Sequence, residues 1–178
     1  VQIKLDDIPV TNLIPQNTTL ALNGTSYIET GQDIGESTNQ ITISAWVKPE
    51  FNAGTPKMVA ISKDLTFQLL INGISEPQHA PIFTIYDGMT WHEVVGTDQL
   101  EEGKWHHIAI TYDMLTKKFS LYGDYKLLLC RKTSLPIVYD NSPLTMLGSG
   151  GSGAVEAVLD EVRISDKVLP VEDFLKVK

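Results

Sequence analysis

The stretch Gln40-Ile41-Thr42-Ile43-Ser44-Ala45-Trp46-Val47 decides the fold class. Its apolar residues recur at every second position, so Ile41, Ile43, Ala45 and Val47 fall on one face of an extended chain. Thr42, Ser44 and Trp46 fall on the other. Pro49 lacks a ladder donor and ends the run. Working outward, similar short runs lie at 19–22 and 26–29 around the turn pair Asn23-Gly24, at 58–62, and at 66–71 before Asn72-Gly73. More follow at 81–86 before Asp87-Gly88, and at 90–95, 105–112, 118–122, 126–130, 144–147 and 155–164. About ten or eleven strands punctuated by turn residues, with no helical periodicity between them, make an antiparallel sandwich or barrel rather than a parallel α/β sheet. Only the tail reads otherwise. Pro170 suits a first helical position, Glu172 and Asp173 the positive end of the dipole, and Lys176 and Lys178 the negative end, which predicts one short helix at about 170–177. The chain is all-β.

Its 178 residues are close to one domain. Lys+Arg 14 against Asp+Glu 22 gives a net charge of −8, the wrong sign for a protein that displaces counterions from a phosphate backbone, so nucleic acid is not an expected partner. A single cysteine, Cys130, excludes an internal disulfide framework and a multi-cysteine metal site. In a Leu-rich strand it reads as a small buried hydrophobe rather than a nucleophile. No apolar run approaches the roughly 20 residues that cross a bilayer as a helix. The start at Val1 reads as a processed or excised segment. Residues 1–16, with Pro9 and Pro15 bracketing Val10 to Ile14, stand apart from the domain at 17–178. They read either as a linker or edge strand lying along the sandwich, or as an arm that adds to a neighbouring subunit's open sheet edge.

Several motifs lose their chemistry when placed on strands. Gly148-Ser149-Gly150-Gly151-Ser152-Gly153 matches G-x-G-x-x-G, but a strand rather than a helix is expected after it, so it reads as a turn. Adjacent His106 and His107 point to opposite faces of a strand and cannot share an ion; one is expected to be packed or hydrogen-bonded and the other solvated. Glu156 and Asp160 share a face but stand roughly 13 Å apart at about 3.3 Å per residue. The carboxylate pairs of glycoside hydrolases need about 5–9.5 Å. Asn17-Thr18-Thr19 and Asn23-Gly24-Thr25 are glycosylation sequons, compatible with an extracellular setting. Trp91, in a polar run with His92 and Glu93 after Asp87-Gly88, is the best candidate for an exposed aromatic on which a sugar ring can stack. Trp46 and Trp105 read as packing residues.

Taken in order, several segments resemble one family. They are Leu22-Asn23-Gly24-Thr25-Ser26-Tyr27-Ile28, Ile41 to Pro49, Gly103-Lys104-Trp105-His106-His107-Ile108-Ala109-Ile110-Thr111-Tyr112-Asp113, and Leu121-Tyr122. Leu159-Asp160-Glu161-Val162-Arg163-Ile164 and Val168-Leu169-Pro170-Val171-Glu172-Asp173 complete the series. The pattern, over about 18–175, resembles the laminin G-like, pentraxin-related jelly roll of the concanavalin A-like lectin/glucanase superfamily. Two departures stand out. The usual L-Y-V-D-G turn is rebuilt as Leu121-Tyr122-Gly123-Asp124-Tyr125, and Ala157 stands where a glycine usually precedes the Asp-Glu pair.

The resemblance implies a two-sheet antiparallel jelly-roll sandwich and a non-catalytic extracellular or cell-surface module for recognition or adhesion, with a glycan or protein as partner. Asp87, Trp91 and His92 are its expected ligand-binding residues. It also implies a structural calcium ion near the rim, with Asp160 and Asn23 as ligands. Glycosylation would fall on Asn17 and Asn23. Two other functions stay open at this point: a filament or layer subunit that self-assembles through residues 1–16, and a jelly-roll glycan hydrolase or lyase.

Overall fold

The computed structural model describes residues 10–12, 19–29, 39–51, 57–63, 65–73, 77–133, 135–138, 145–147 and 156–174. One sheet contains β1 (Val10–Asn12), β2 (Leu20–Asn23), β4 (Gln40–Pro49), β9 (His106–Asp113), β10 (Lys118–Gly123), β11 (Lys126–Lys132) and β13 (Glu156–Ser165). Its order is β1-β13-β4-β9-β10-β11, with β2 beside β1 on the same edge of β13. The other sheet contains β3 (Ile28–Glu29), β5 (Lys57–Lys63), β6 (Phe67–Asn72), β7 (Pro81–Tyr86), β8 (Trp91–Val95) and β12 (Thr145–Leu147), in the order β3-β12-β5-β6-β7-β8. Every pairing is antiparallel. The chain is a two-sheet jelly-roll sandwich.

The alternation in β4 does what the sequence requires. Ile41, Ile43, Ala45 and Val47 enter the core with Ile108, Ile110 and Tyr112 of the neighbouring strand β9. The opposite sheet contributes Ile61, Phe67, Leu69, Ile71, Phe83 and Ile85. Phe67, Phe83, Phe119 and Tyr112 form a chain of ring contacts, with centroids 6.2, 5.5 and 6.4 Å apart in turn, that links one sheet to the other. Thr42, Ser44 and Trp46, on the outward face of β4, are also buried. The segment after β13 crosses over them. The Thr42 hydroxyl donates to the Lys167 carbonyl at 2.6 Å and accepts from the Leu169 N–H at 2.9 Å, and Phe174 is buried against His107 and Tyr122.

That crossing corrects the expected C-terminal helix. Among the described residues the tail forms a 3₁₀ turn, Val171–Asp173, between Pro170 and Phe174, both in extended conformation. A helix would carry Phe174 around its axis, whereas one turn followed by extended chain delivers the ring onto the sheet. Residues 175–178 lie outside the described residues, as does most of the segment 1–16. Its described part, Val10–Asn12, pairs with Arg163 to Ser165 of the same chain. The glycine-rich 148–153 also lies outside, and the chain resumes as the strand β13.

Two irregularities set the frame around the site. In β13, Asp160 pairs with Trp46 and Arg163 with Ser44, so the strand spends one extra residue there. Glu161 takes it up at φ +47°. This bulge lets Leu159, Val162 and Ile164 all face the core. In the rebuilt β10–β11 turn, Asp124 and Tyr125 both have positive φ, +47° and +64°, the signature of a primed two-residue hairpin turn. A Cβ on Gly123 would meet the Leu128 side-chain methyl at 2.9 Å, so that leucine would have to shift for any larger residue.

Cys130 is exposed, against the expectation of burial. It lies on the outward face of an edge strand, while its neighbour Leu129 takes the inward position against the core.

Candidate functional site

The site is built on the β7–β8 hairpin, at the free edge of the six-stranded sheet. Four residues, Asp87 to Thr90, connect the strands. Gly88 has φ +96°, a region open to glycine and strained for other residues. One oxygen of Asp87 accepts from the backbone N–H groups of Met89 and Thr90, each at 2.8 Å. The other meets His92 Nε2 at 2.6 Å. The Thr90 N–H above all, then His92 and the Met89 N–H, hold the Asp87 carboxyl at a pKa of about 2, below the usual carboxylate range. The turn is therefore fixed from within by its own acid.

This rigidity places the aromatic side chains. Tyr86 and Trp91 are cross-strand partners, and their rings meet at 5.3 Å with planes tilted by 48°. Trp91 is 38% exposed and Met89, at the tip, 83%. The β5–β6 turn reaches the same end of the sheet, where the Tyr86 N–H donates to the Thr66 carbonyl at 2.9 Å. Leu65 in that turn is exposed too. Two neighbouring turns thus carry exposed Leu65 and Met89, and the second, held by the Asp87–His92 pair, leads into the Tyr86–Trp91 ring contact. Tyr86, Met89 and Leu65 were not singled out from the sequence. The four-residue connection, which forces Tyr86 to face Trp91, was the available signal.

Alternation along β8 separates two environments. Trp91 and Glu93 face outward with Thr84, whereas His92 and Val94 face the core side with Ile85 and Phe83. Glu93 forms an ion pair with Lys57 across the outer face of the sheet.

The other sequence-derived residues do not join this site. Asn23 is exposed, and its side-chain oxygen accepts from the Ser26 N–H at 2.9 Å, the Thr25 hydroxyl at 3.0 Å and the Thr25 N–H at 3.2 Å. Asp160 is 1% exposed, accepts from the Glu161 N–H at 2.7 Å and pairs with Trp46. Asn23 sits opposite Glu156, four positions along β13 from Asp160, or roughly 13 Å. The pair does not fit a shared calcium ion. Among the described residues, no three His, Cys, Asp or Glu side chains cluster as metal ligands. Asn17 lies outside the described residues. On β13, Glu161 is paired with Arg163 at 3.5 Å and Asp160 is covered, so the acidic strand does not open onto a common cleft.

His106 and His107 do face opposite sides, but neither is solvated, which corrects that expectation. His106 meets Asp124 at 2.8 Å and accepts from the Glu101 N–H at 2.8 Å. His107 stacks on Tyr125 at 4.7 Å and meets the Trp46 ring edge-on at 5.5 Å. Both serve the rebuilt turn: the Asp124 carboxylate that holds His106 also accepts from the His107 N–H at 2.9 Å.

Two layered antiparallel sheets with exposed groups gathered on hairpin tips define a lectin-type sandwich. The chain belongs to the concanavalin A-like lectin/glucanases superfamily, whose model matches residues 22–173. No curated protein is matched by the sequence. In structure it is similar to the binding domain of botulinum neurotoxin serotype G, with a TM-score of 0.69 and 19% identity over 92% of this chain and 43% of that one. It is also similar to domain 4 of AbnA, a GH43 extracellular arabinanase from Geobacillus stearothermophilus in complex with arabinotriose (TM-score 0.66, 20% identity, 92% of this chain, 78% of that one). A third likeness is to botulinum neurotoxin type C, described as interacting with two ganglioside molecules (TM-score 0.66, 15% identity, 94% of this chain). The chain spans 43% of the type C chain. At these identities the likeness is one of fold.

Proposed function

We propose that this domain is a non-catalytic, extracellular or cell-surface module that binds glycan at the β7–β8 hairpin. The observation that carries the reading is Trp91, an exposed indole braced by Tyr86 on a hairpin whose tip is fixed by the Asp87–His92 pair. An aromatic face takes the C–H face of a sugar ring, and a few oriented polar groups beside it fix the ring's hydroxyls. Asp87 stays ionised at neutral pH and accepts hydrogen bonds, while His92 turns its imidazole toward that carboxylate. Support also comes from the company the fold keeps: an arabinanase domain seen with arabinotriose and a toxin that meets gangliosides. The exposed sequon at Asn23 is compatible with an extracellular setting.

An array of neutral and acidic glycans tests the reading. Wild-type protein binds a restricted set of glycans and returns them uncleaved. Trp91→Ala lowers that binding at least tenfold while shifting Tm by no more than a few degrees, because the indole is partly exposed. Cleaved products would favour a hydrolase or lyase, and unaltered binding by the variant would move the site elsewhere.

A further inference from the structure

We propose that the cleft between the free edges of β8 and β11 is an anion subsite that takes a carboxylate or sulfate carried on a single sugar-sized ring. The inference rests on the glycan-binding reading only in taking that ring to be a sugar. On this side of the sandwich β8 ends one sheet and β11 the other, leaving a cleft of about 260 Å³. Its floor is apolar, formed by Ile85 and Phe119 of the core together with Val94 and Leu135, and His92 and Glu93 line its β8 side. Arg131 stands opposite Phe119 in the β10–β11 ladder, which puts its side chain on the cleft side, and Lys132 adjoins it.

Charge then decides the ligand. Asp87 is engaged with His92 and Glu93 with Lys57, so the acids on this edge are already paired. Among the described residues neither Arg131 nor Lys132 stands in an ion pair. In a chain of net charge −8, two uncommitted cations over an apolar floor select an anion. A guanidinium binds carboxylate and sulfate oxygens through paired hydrogen bonds, and the floor accepts the ring's C–H surface. The volume lies just below the usual small-molecule range of about 300–1,000 Å³, enough for one ring and not for an extended chain. Trp91 faces outward whereas His92 faces inward and lines this cleft, so strand β8 separates the subsite from the aromatic platform.

The test titrates D-glucuronate, glucose 6-sulfate and glucose into wild type, Arg131→Gln, Arg131→Lys and Trp91→Ala, following backbone amide shifts at low salt. At least one of the two acids moves the amides at 92–94 and 131–133, and glucose does not. Arg131→Gln weakens that binding about tenfold, Arg131→Lys less, and Trp91→Ala not at all. Binding of both acids assigns the cleft to oxyanions in general, and binding of one assigns it to that group. No shift with either acid, equal shifts with glucose, or wild-type affinity in a folded Arg131→Gln overturns the subsite. Neutral-glycan binding that depends on Trp91 would survive that result, so the two readings fail separately.

Discussion

His107 shows how one residue's environment sets a global property. It is 1% exposed, sandwiched among Trp46, Tyr125 and Phe174, and its Nδ1 has no hydrogen-bond partner among the described residues. Burial, the largest influence, pushes its pKa down to about 4, with nearby Asp124 opposing and Arg163 assisting. The folded state therefore holds His107 neutral where the unfolded chain, titrating near 6.5, takes up a proton. Its contribution to stability is complete above pH 6.5, falls as pH drops toward 4, and levels off below that. The loss is on the order of 3 kcal/mol. Urea melts at pH 7, 5.5 and 4.5 are expected to show this decline in wild type and a flatter profile in His107→Phe, which keeps the ring and removes the titration. Parallel profiles would remove His107 from the account. Nothing local signals this burial: His106 and His107 were legible as facing opposite sides, but the cover over His107 comes from Tyr125 and Phe174, 18 and 67 residues later in the chain.

At the level of elements, turns carry more information than strands. The β9–β10 connection is closed by Asp113, which accepts from the N–H groups of Leu115 at 2.9 Å and Thr116 at 3.3 Å, but it leaves exposed Lys117 at φ +56°. A left-handed conformation costs a side-chain-bearing residue about 1–2 kcal/mol, and glycine returns part of that gain as unfolded-state entropy. Lys117→Gly is therefore expected to stabilise the fold by about 0.5–1 kcal/mol in denaturant titration. A destabilised variant would show that the lysine side chain contributes more than the turn strain costs. Strands were readable from alternation, yet the β13 bulge was not assigned, although its signal was present. Ala157 and Leu159 keep one parity and Val162 and Ile164 the other, and an inserted residue between them is the only way for all four to face inward. The C-terminal helix failed for a related reason: Pro170, Glu172 and Asp173 are good first-turn residues, but the demand to cover the sheet with Phe174 outweighs local propensity.

For the molecule as a whole, the ring contacts from Phe67 through Phe83 and Phe119 to Tyr112 tie the two sheets together. Phe83 has no exposed surface and lies inside that series, so Phe83→Ala is expected to cost about 3–5 kcal/mol of unfolding free energy, measured by denaturant titration. A loss below 1 kcal/mol would mean that the interior repacks freely. The architecture was legible because it depends on parity along strands. The proposed binding surface was only partly so. Trp91, Asp87 and His92 lie in one short run, whereas the turn carrying Leu65 reaches the same end of the sheet through the pairing of β6 with β7, and Arg131 faces β8 across the gap between sheets. The most direct test of glycan recognition at the β7–β8 hairpin is amide shift mapping during titration with the strongest glycan from the array. The moved amides are expected to gather at Leu65, Thr66 and 86–92. Shifts confined to the Asn23 turn or to the strap at 166–174, with the hairpin silent, would contradict it.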